Sequence, residues 1–167
     1  MMAQCADAHA IATPMSAMTH VGLSVACLDR SIQFYRDLFG MEVVSYGGFG
    51  GDQYECILGL KGAKGRASTL RAGHLRIELF EFEHPAPKPR DVTRSVADHG
   101  ITHFCVEVSN IEEVYELLKA ASVMFNCPPL EFFGRAKATY GRDPDGNVFE
   151  LIEVLKQSGS GDGARRE

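Results

Sequence analysis

Thr19-His-Val-Gly-Leu-Ser-Val25 is repeated in pattern by Thr102-His-Phe-Cys-Val-Glu-Val108 at a constant offset of 83 positions. In the first copy Val21, Leu23 and Val25 alternate with His20, Gly22 and Ser24, the period-2 signature of a strand covered on one face. In the second, Phe104, Val106 and Val108 alternate with His103, Cys105 and Glu107 in the same way. A strand that recurs with its histidine in the same place means that the chain begins again, so each copy is followed outward for what comes next.

After the first copy, Asp29 offers an N-cap, and Ser31 to Phe39 predicts a helix with Ile32, Tyr35, Leu38 and Phe39 on one stripe and Gly40 ending it. Short strands are expected at 42–46, 53–58 and 75–82, separated by glycine-rich turns. After the second copy, Asn110 with Glu113 gives a capping-box signal, and Ile111, Val114, Leu117, Leu118 and Ala121 give a second helical stripe. Strands are expected near Phe133, at 136–140 and at 147–154, with a turn at Asp143-Pro-Asp-Gly146. The expectation is an α+β fold of paired βαβββ modules, one over about 18–82 and one over about 100–155, in a single domain spanning 18–155. Between them, 83–99 with its alternating prolines reads as a linker, and 1–17 and 156–167 read as flexible tails.

The 167 residues are 45% hydrophobic, with 22 acidic against 17 basic side chains and a net charge of −5, ample for one hydrophobic core. No basic run supports sequence-independent binding to nucleic acid, and no apolar run approaches the ~18 residues of a membrane span. Five cysteines without a C-x-x-C pair argue against a disulfide framework and for reduced thiols, hence a cytoplasmic location.

His20, Glu78, His103 and Glu150 each fall on the strand face opposite aliphatic or aromatic neighbours. One such histidine is ordinarily a hydrogen-bonded strand residue, and one such glutamate is ordinarily solvated. Their coincidence, one histidine at the same point of each repeat and one glutamate on the last strand of each module, points to a shared function. Cys105 and Glu107 share the His103 face, with Tyr140, Phe80 and Phe82 as further candidate cavity wall. Gly47-Gly-Phe-Gly-Gly51 opens no helix, is no phosphate loop, and reads as a flap beside the pocket. Arg135, Lys137 and Arg142 are candidates to meet an anionic substrate group, although charges near loops are mostly solvated.

These motifs resemble the vicinal oxygen chelate superfamily, which includes glyoxalase I, methylmalonyl-CoA epimerase, bleomycin- and fosfomycin-resistance proteins and extradiol dioxygenases. The resemblance spans about 18–155 and rests on Thr19-His20-Val-Gly-Leu, the helix from Asp29 to Gly40, Gly100-Ile-Thr-His103-Phe, and Asp143-Pro-Asp-Gly-Asn-Val-Phe-Glu150-Leu. It implies that His20, Glu78, His103 and Glu150 are the four ligands of one divalent metal ion (Ni, Co, Mn, Fe or Zn), set in a cupped, partly closed mixed sheet. It also implies a homodimer, because the cup is completed by two chains in some relatives. Two imidazoles and two carboxylates suit an octahedral ion with two positions open to a small-molecule substrate. The activity implied is that of an isomerase, epimerase or lyase acting through an enolate, with Glu150 or Glu78 as general base.

Two alternatives stay open. An extradiol ring-cleaving dioxygenase with Fe(II) would use two histidines and one carboxylate, which leaves Glu78 surplus; a non-catalytic ligand-sequestering protein would need no ligand set at all. The bacterial short-chain glyoxalase I pattern carries an arginine where this chain has Ser24 and an asparagine where it has Phe82. Both losses imply a substrate other than the methylglyoxal–glutathione hemithioacetal, and a less anionic one.

Overall fold

The computed structural model describes residues 17–156, so the expected tails lie outside the described residues except at their innermost positions. The first module runs β1 (Val21–Ser24), α1 (Leu28–Gln33), β2 (Glu42–Gly50), α2 (Asp52–Leu58), β3 (Lys64–Ala72) and β4 (Leu75–His84). The second runs β5 (Phe104–Glu107), α3 (Ile111–Ala120), β6 (Met124–Phe125), β7 (Leu130–Phe132), β8 (Ala136–Arg142) and β9 (Val148–Val154). Each module forms its own mixed sheet, ordered β1-β4-β3-β2 and β5-β9-β8-β6, with β7 also paired to β8. The first strand of each lies parallel to the last, and the other pairs are antiparallel. The fold is α+β, and its two sheets are not closed into a barrel.

The alternation read from sequence decides which face packs. Ile77 and Leu79 of β4 and Phe149 and Leu151 of β9 are buried with Leu28, Ile111 and Leu118 of the helices in one continuous core. Beyond Gln33 the first helix widens into a π-helical turn, Phe34–Leu38. From there the Phe34 ring reaches Phe149 at 6.3 Å and the Tyr35 ring reaches Phe104 at 6.4 Å, so one helix serves both halves. Gly40, with φ 64, turns the chain out of the helix as its sequence position predicts.

Neither helix is capped as expected. The Leu28 N–H donates to Glu81 Oε2 at 2.8 Å, and the Asn110 and Ile111 N–H groups donate to the Glu153 carboxylate at 3.1 Å each. Asp29 lies inside the first turn, and Asn110 caps nothing with its side chain, being in the left-handed region at φ 56. A carboxylate held on the neighbouring strand satisfies the open N–H groups and sits at the positive end of the helix dipole, which removes the need for a local cap.

Three expectations for the first module are corrected. Residues 53–58 form α2 rather than a strand, because Tyr54, Ile57 and Leu58 follow helical spacing and Gly59 ends the helix in the left-handed region, φ 64. The third strand is instead β3, rich in small side chains. The glycine-rich stretch is no flap: Gly47 pairs with Ala67 and Phe49 with Gly65 in the β2–β3 ladder. Opposite Phe49, Gly65 is required for close approach, since a Cβ there would lie 2.0 Å from the Glu81 carbonyl oxygen. The helix α2 also explains why the repeat drifts. Leu28 and Ile111 begin the two helices 83 positions apart, whereas Glu78 and Glu150 are 72 apart; the 11 extra residues of the first module fall between β2 and β3.

The Asp143-Pro-Asp-Gly146 turn clasps the modules together. Asp145 accepts from the Ala26 N–H at 2.9 Å, Arg30 at 2.7 Å and the Ser31 hydroxyl at 3.1 Å. Asp143 accepts from the Tyr35 hydroxyl at 2.8 Å and from Asp145 and Asn147 of its own loop. Burial outweighs these donors and pushes the Asp143 carboxyl above its ordinary value. The intervening segment 85–103 contains no helix or strand but is packed along this turn. There Arg90 donates to Asn147 Oδ1 and Arg142 to the Arg94 carbonyl.

Candidate metal centre

Parallel pairing of first and last strands brings a histidine to a glutamate in each half. Gly22 lies beside Glu78 and Cys105 beside Glu150, so a side chain two residues earlier, on the same face, reaches the carboxylate. His20 Nε2 is 3.4 Å from Glu78 Oε2, and His103 Nε2 is 3.1 Å from Glu150 Oε2. The other ring nitrogen is engaged identically in both: Nδ1 lies 3.0 Å from the hydroxyl of the preceding threonine, Thr19 or Thr102. Such a bond fixes the ring and directs Nε2 toward the carboxylate.

The second pair is the more sheltered, with side chains 25% and 18% exposed against 45% and 34% in the first. The Tyr140 ring lies 4.6 Å from that of His103. Burial, then Glu150, raise the Tyr140 hydroxyl above its ordinary value, and burial with a hydrogen bond to Glu150 pushes the Cys105 thiol up to about 12.

The four predicted side chains come together as two pairs and not as one set. His20 and His103 border a common cavity of about 430 Å³ with Cys105, where the β1 and β5 edges meet. Their carboxylates look elsewhere. Glu78 faces a cavity of about 450 Å³ walled by Phe49, Phe80 and the α2 residues Tyr54 and Ile57. Glu150 faces one of about 470 Å³ with Tyr140, Leu130, Phe132 and Ile152. Phe82 stands behind Phe80, packed edge-on to Phe49 at 5.3 Å, and Glu107 is exposed at the end of β5. Among the described residues no three His, Cys, Asp or Glu side chains are grouped closely enough to hold an ion.

The sequence profile of the glyoxalase/bleomycin resistance protein/dioxygenase superfamily matches residues 17–151, which contain both pairs and both repeats. The chain belongs to this superfamily. Among solved structures, a glyoxalase family protein from Bacillus cereus is 21% identical with a TM-score of 0.80, covering 89% of this chain and 100% of its own. A glyoxylase/bleomycin resistance protein/dioxygenase domain from Frankia sp. EAN1pec is 25% identical with a TM-score of 0.61, covering 86% of this chain and 95% of its own. A genomically encoded fosfomycin resistance protein from Listeria monocytogenes is 18% identical with a TM-score of 0.59, covering 85% and 96%. The superfamily takes in enzymes and resistance proteins alike. No described helix is long and apolar enough to cross a membrane.

Sequence reasoning missed the α2 wall, the two capping glutamates and the arginines of segment 85–103. The signal for α2 was present in the spacing of Tyr54, Ile57 and Leu58 between two glycines. The caps had none, because Glu81 and Glu153 act across 53 and 42 to 43 residues.

Proposed function

We propose that this superfamily member is a divalent-metal-dependent isomerase, epimerase or lyase that removes a proton beside a carbonyl of a small oxygenated substrate. We further propose that its metal site is completed in a homodimer, His20 and Glu78 of one copy facing His103 and Glu150 of the other. The observation that carries the reading is the duplicated half-site, with Nδ1 of each imidazole engaged by threonine and Nε2 set against a carboxylate at 3.4 or 3.1 Å. A neutral imidazole and a carboxylate are each good donors to Ni, Co, Mn, Fe or Zn, so the residues fit the group. Two donors are too few for a tight octahedral site, and a two-fold dimer doubles each half into a pair of four-donor sites.

When bound, the ion supplies positive charge next to a substrate oxygen that becomes negative as the neighbouring proton leaves. The chain's own side chains do the rest. Glu150, and by symmetry of position Glu78, holds the abstracted proton on a carboxylate oxygen. Thr19 and Thr102 keep the imidazoles oriented, and Tyr140 packs against His103. Phe80 and Phe82 with Phe49 on one sheet, and Leu130 with Ile152 on the other, exclude water from the face where the substrate lies.

Complementation between inactive chains tests the reading. A chain with His20→Ala and Glu78→Ala is mixed with one carrying His103→Ala and Glu150→Ala, each failing alone to bind Ni or Zn tightly. In the crossed dimer one site of two regains all four donors, so tight metal binding returns to half of the wild-type stoichiometry. Absence of recovery in a verified heterodimer, or full binding by a monomer, defeats the shared site. Rapid oxygen uptake with catechols under Fe(II) would instead establish the dioxygenase.

A further inference from the structure

Where segment 85–103 crosses the seam between the modules it closes a cavity of about 310 Å³, lined among others by Arg90, Arg94 and Arg142, with Ser24, Ser95 and Thr102. Three guanidinium groups in one small cavity are unexpected in a chain of net charge −5. Their partners are uncharged. Arg90 donates to Asn147 Oδ1, Arg94 to the His99 and Ile101 carbonyls at 3.4 Å each, and Arg142 to the Gly146 and Arg94 carbonyls at 3.2 and 2.9 Å. Among the described residues none of the three has a carboxylate within the 4.0 Å of an ion pair, whereas Arg30, Arg36, Arg66 and Arg71 each have one. Asp91 interacts electrostatically with Arg142 without forming an ion pair, its carboxylate accepting instead from the Thr93 N–H and hydroxyl at 2.8 and 2.6 Å.

Each guanidinium carries five N–H donors in a planar fork, and one or two carbonyls leave several of them unmet. Bringing three such groups together against their mutual repulsion is favourable when an oxyanion sits between them, because its charge offsets the repulsion and its oxygens accept from the guanidinium fork in a bidentate fashion that a single carbonyl oxygen does not offer. We infer that the seam cavity is a binding site for a small molecule bearing a phosphoryl or carboxylate group, held by Arg90, Arg94 and Arg142. The Ser24 and Ser95 hydroxyls on the wall are further donors, the Thr102 hydroxyl being engaged with His103 Nδ1. The volume suits a compact ligand of metabolite size rather than a peptide or nucleotide chain. The three arginines belong to neither His–Glu pair, although His103 lines this cavity as well, so the inference rests on the arginines and not on the proposed metal chemistry.

Calorimetric titration of the full chain with inorganic phosphate and with succinate, at constant ionic strength in chloride, tests the site. Saturable binding near one per chain is expected. Phosphate ahead of succinate assigns a phosphoryl ligand, and the reverse order a carboxylate. Arg142→Gln weakens binding tenfold or more, and so does Arg90→Gln, while Arg71→Gln, on β3 and paired with Glu42, leaves it unchanged. Arg90, through Asn147, and Arg142, through the Arg94 carbonyl, both tether the segment, so circular dichroism verifies the fold of each variant and the exposed Arg90 keeps the test decisive if Arg142→Gln does not fold. Arg90→Lys, which keeps the charge but loses the fork, falls between. No saturable binding of either anion by the wild type, or equal affinity in wild type and Arg90→Gln, overturns the inference.

Discussion

Replacing Tyr35 with phenylalanine removes one oxygen from the clasp between the modules and nothing else. The ring is 1% exposed and packs edge-on to Phe34 at 5.1 Å and against Phe39 at 5.9 Å, contacts that phenylalanine preserves. The lost group is the 2.8 Å donor to Asp143, itself 2% exposed. A buried hydrogen bond to a charged acceptor contributes about 1.5–3 kcal/mol, so Tyr35→Phe is expected to destabilise the fold by that amount at neutral pH. For a chain of this size that lowers the melting temperature by about 3–12 °C. The pH dependence has a definite sign. Asp143 already has a raised carboxyl in the fold, so its contribution is fully present below the unfolded aspartate value and is lost as pH rises through the folded one. The tyrosine hydroxyl opposes that loss by stabilising the ionised form, and its removal raises the folded value further. The difference between wild type and variant must therefore shrink on acidification, toward the ~0.5–1.5 kcal/mol of a neutral hydrogen bond. Urea denaturation at a series of pH values measures it. A difference below ~0.5 kcal/mol at neutral pH, or one that grows as pH falls, would falsify the account of Asp143 as an ionised, donor-dependent clasp.

Glu153→Ala leaves two N–H groups of α3 open and is expected to cost about 1–2 kcal/mol in denaturant titration, with Glu153→Gln recovering part of it. Gly141→Ala places a Cβ 2.5 Å from the Phe149 ring and 2.8 Å from Phe125; overpacking of about 1–3 kcal/mol should follow, and an unchanged melting temperature would count against the packing described. His103→Ala should weaken Ni or Zn binding at least tenfold while leaving far-ultraviolet circular dichroism unaltered, a combination that a purely structural histidine does not give. The metal-loaded protein is expected to show little or no turnover of the methylglyoxal–glutathione hemithioacetal, because Ser24 and Phe82 lack the polar partners for glutathione; efficient isomerisation abolished by Glu150→Gln would refute this.

The parts of the fold legible in sequence were those fixed by short-range periodicity and by repetition. The two histidine strands, both long helices, the Asp143–Gly146 turn and the last strand of each module follow from alternation, stripe and turn chemistry within windows of a few residues. That each copy carries one histidine and one glutamate on facing strands was legible from the repeat, but the sequence reading expected one set of four, and only the parallel registry of first and last strands sorts them into two separate pairs. What escaped were contacts that no local window contains. Glu81 and Glu153 cap helices from another strand, and Arg90 and Arg94 acquire meaning only when the linker folds back over Asn147. The α2 segment escaped for a different reason: a seven-residue stretch with apolar Tyr54, Ile57 and Leu58 satisfies a strand's length as well as a helix's spacing, and the helix it forms between Gly51 and Gly59 buries none of its side chains.

Duplication makes the donors of the two halves chemically alike, and an ion between them would see its left and right as nearly equivalent. The 11 extra residues of the first module abolish that equivalence, because α2 sets Tyr54 and Ile57 beside Phe49 of β2 on one side while the other is walled by Leu130, Phe132, Tyr140 and Ile152. A substrate with two mirror-related faces can then be told apart only by its walls, never by its ligands. In the proposed reaction, stereoselectivity would accordingly rest with a segment that holds none of the four proposed ligand side chains, and changes in α2 would invert or erase it while leaving those four untouched.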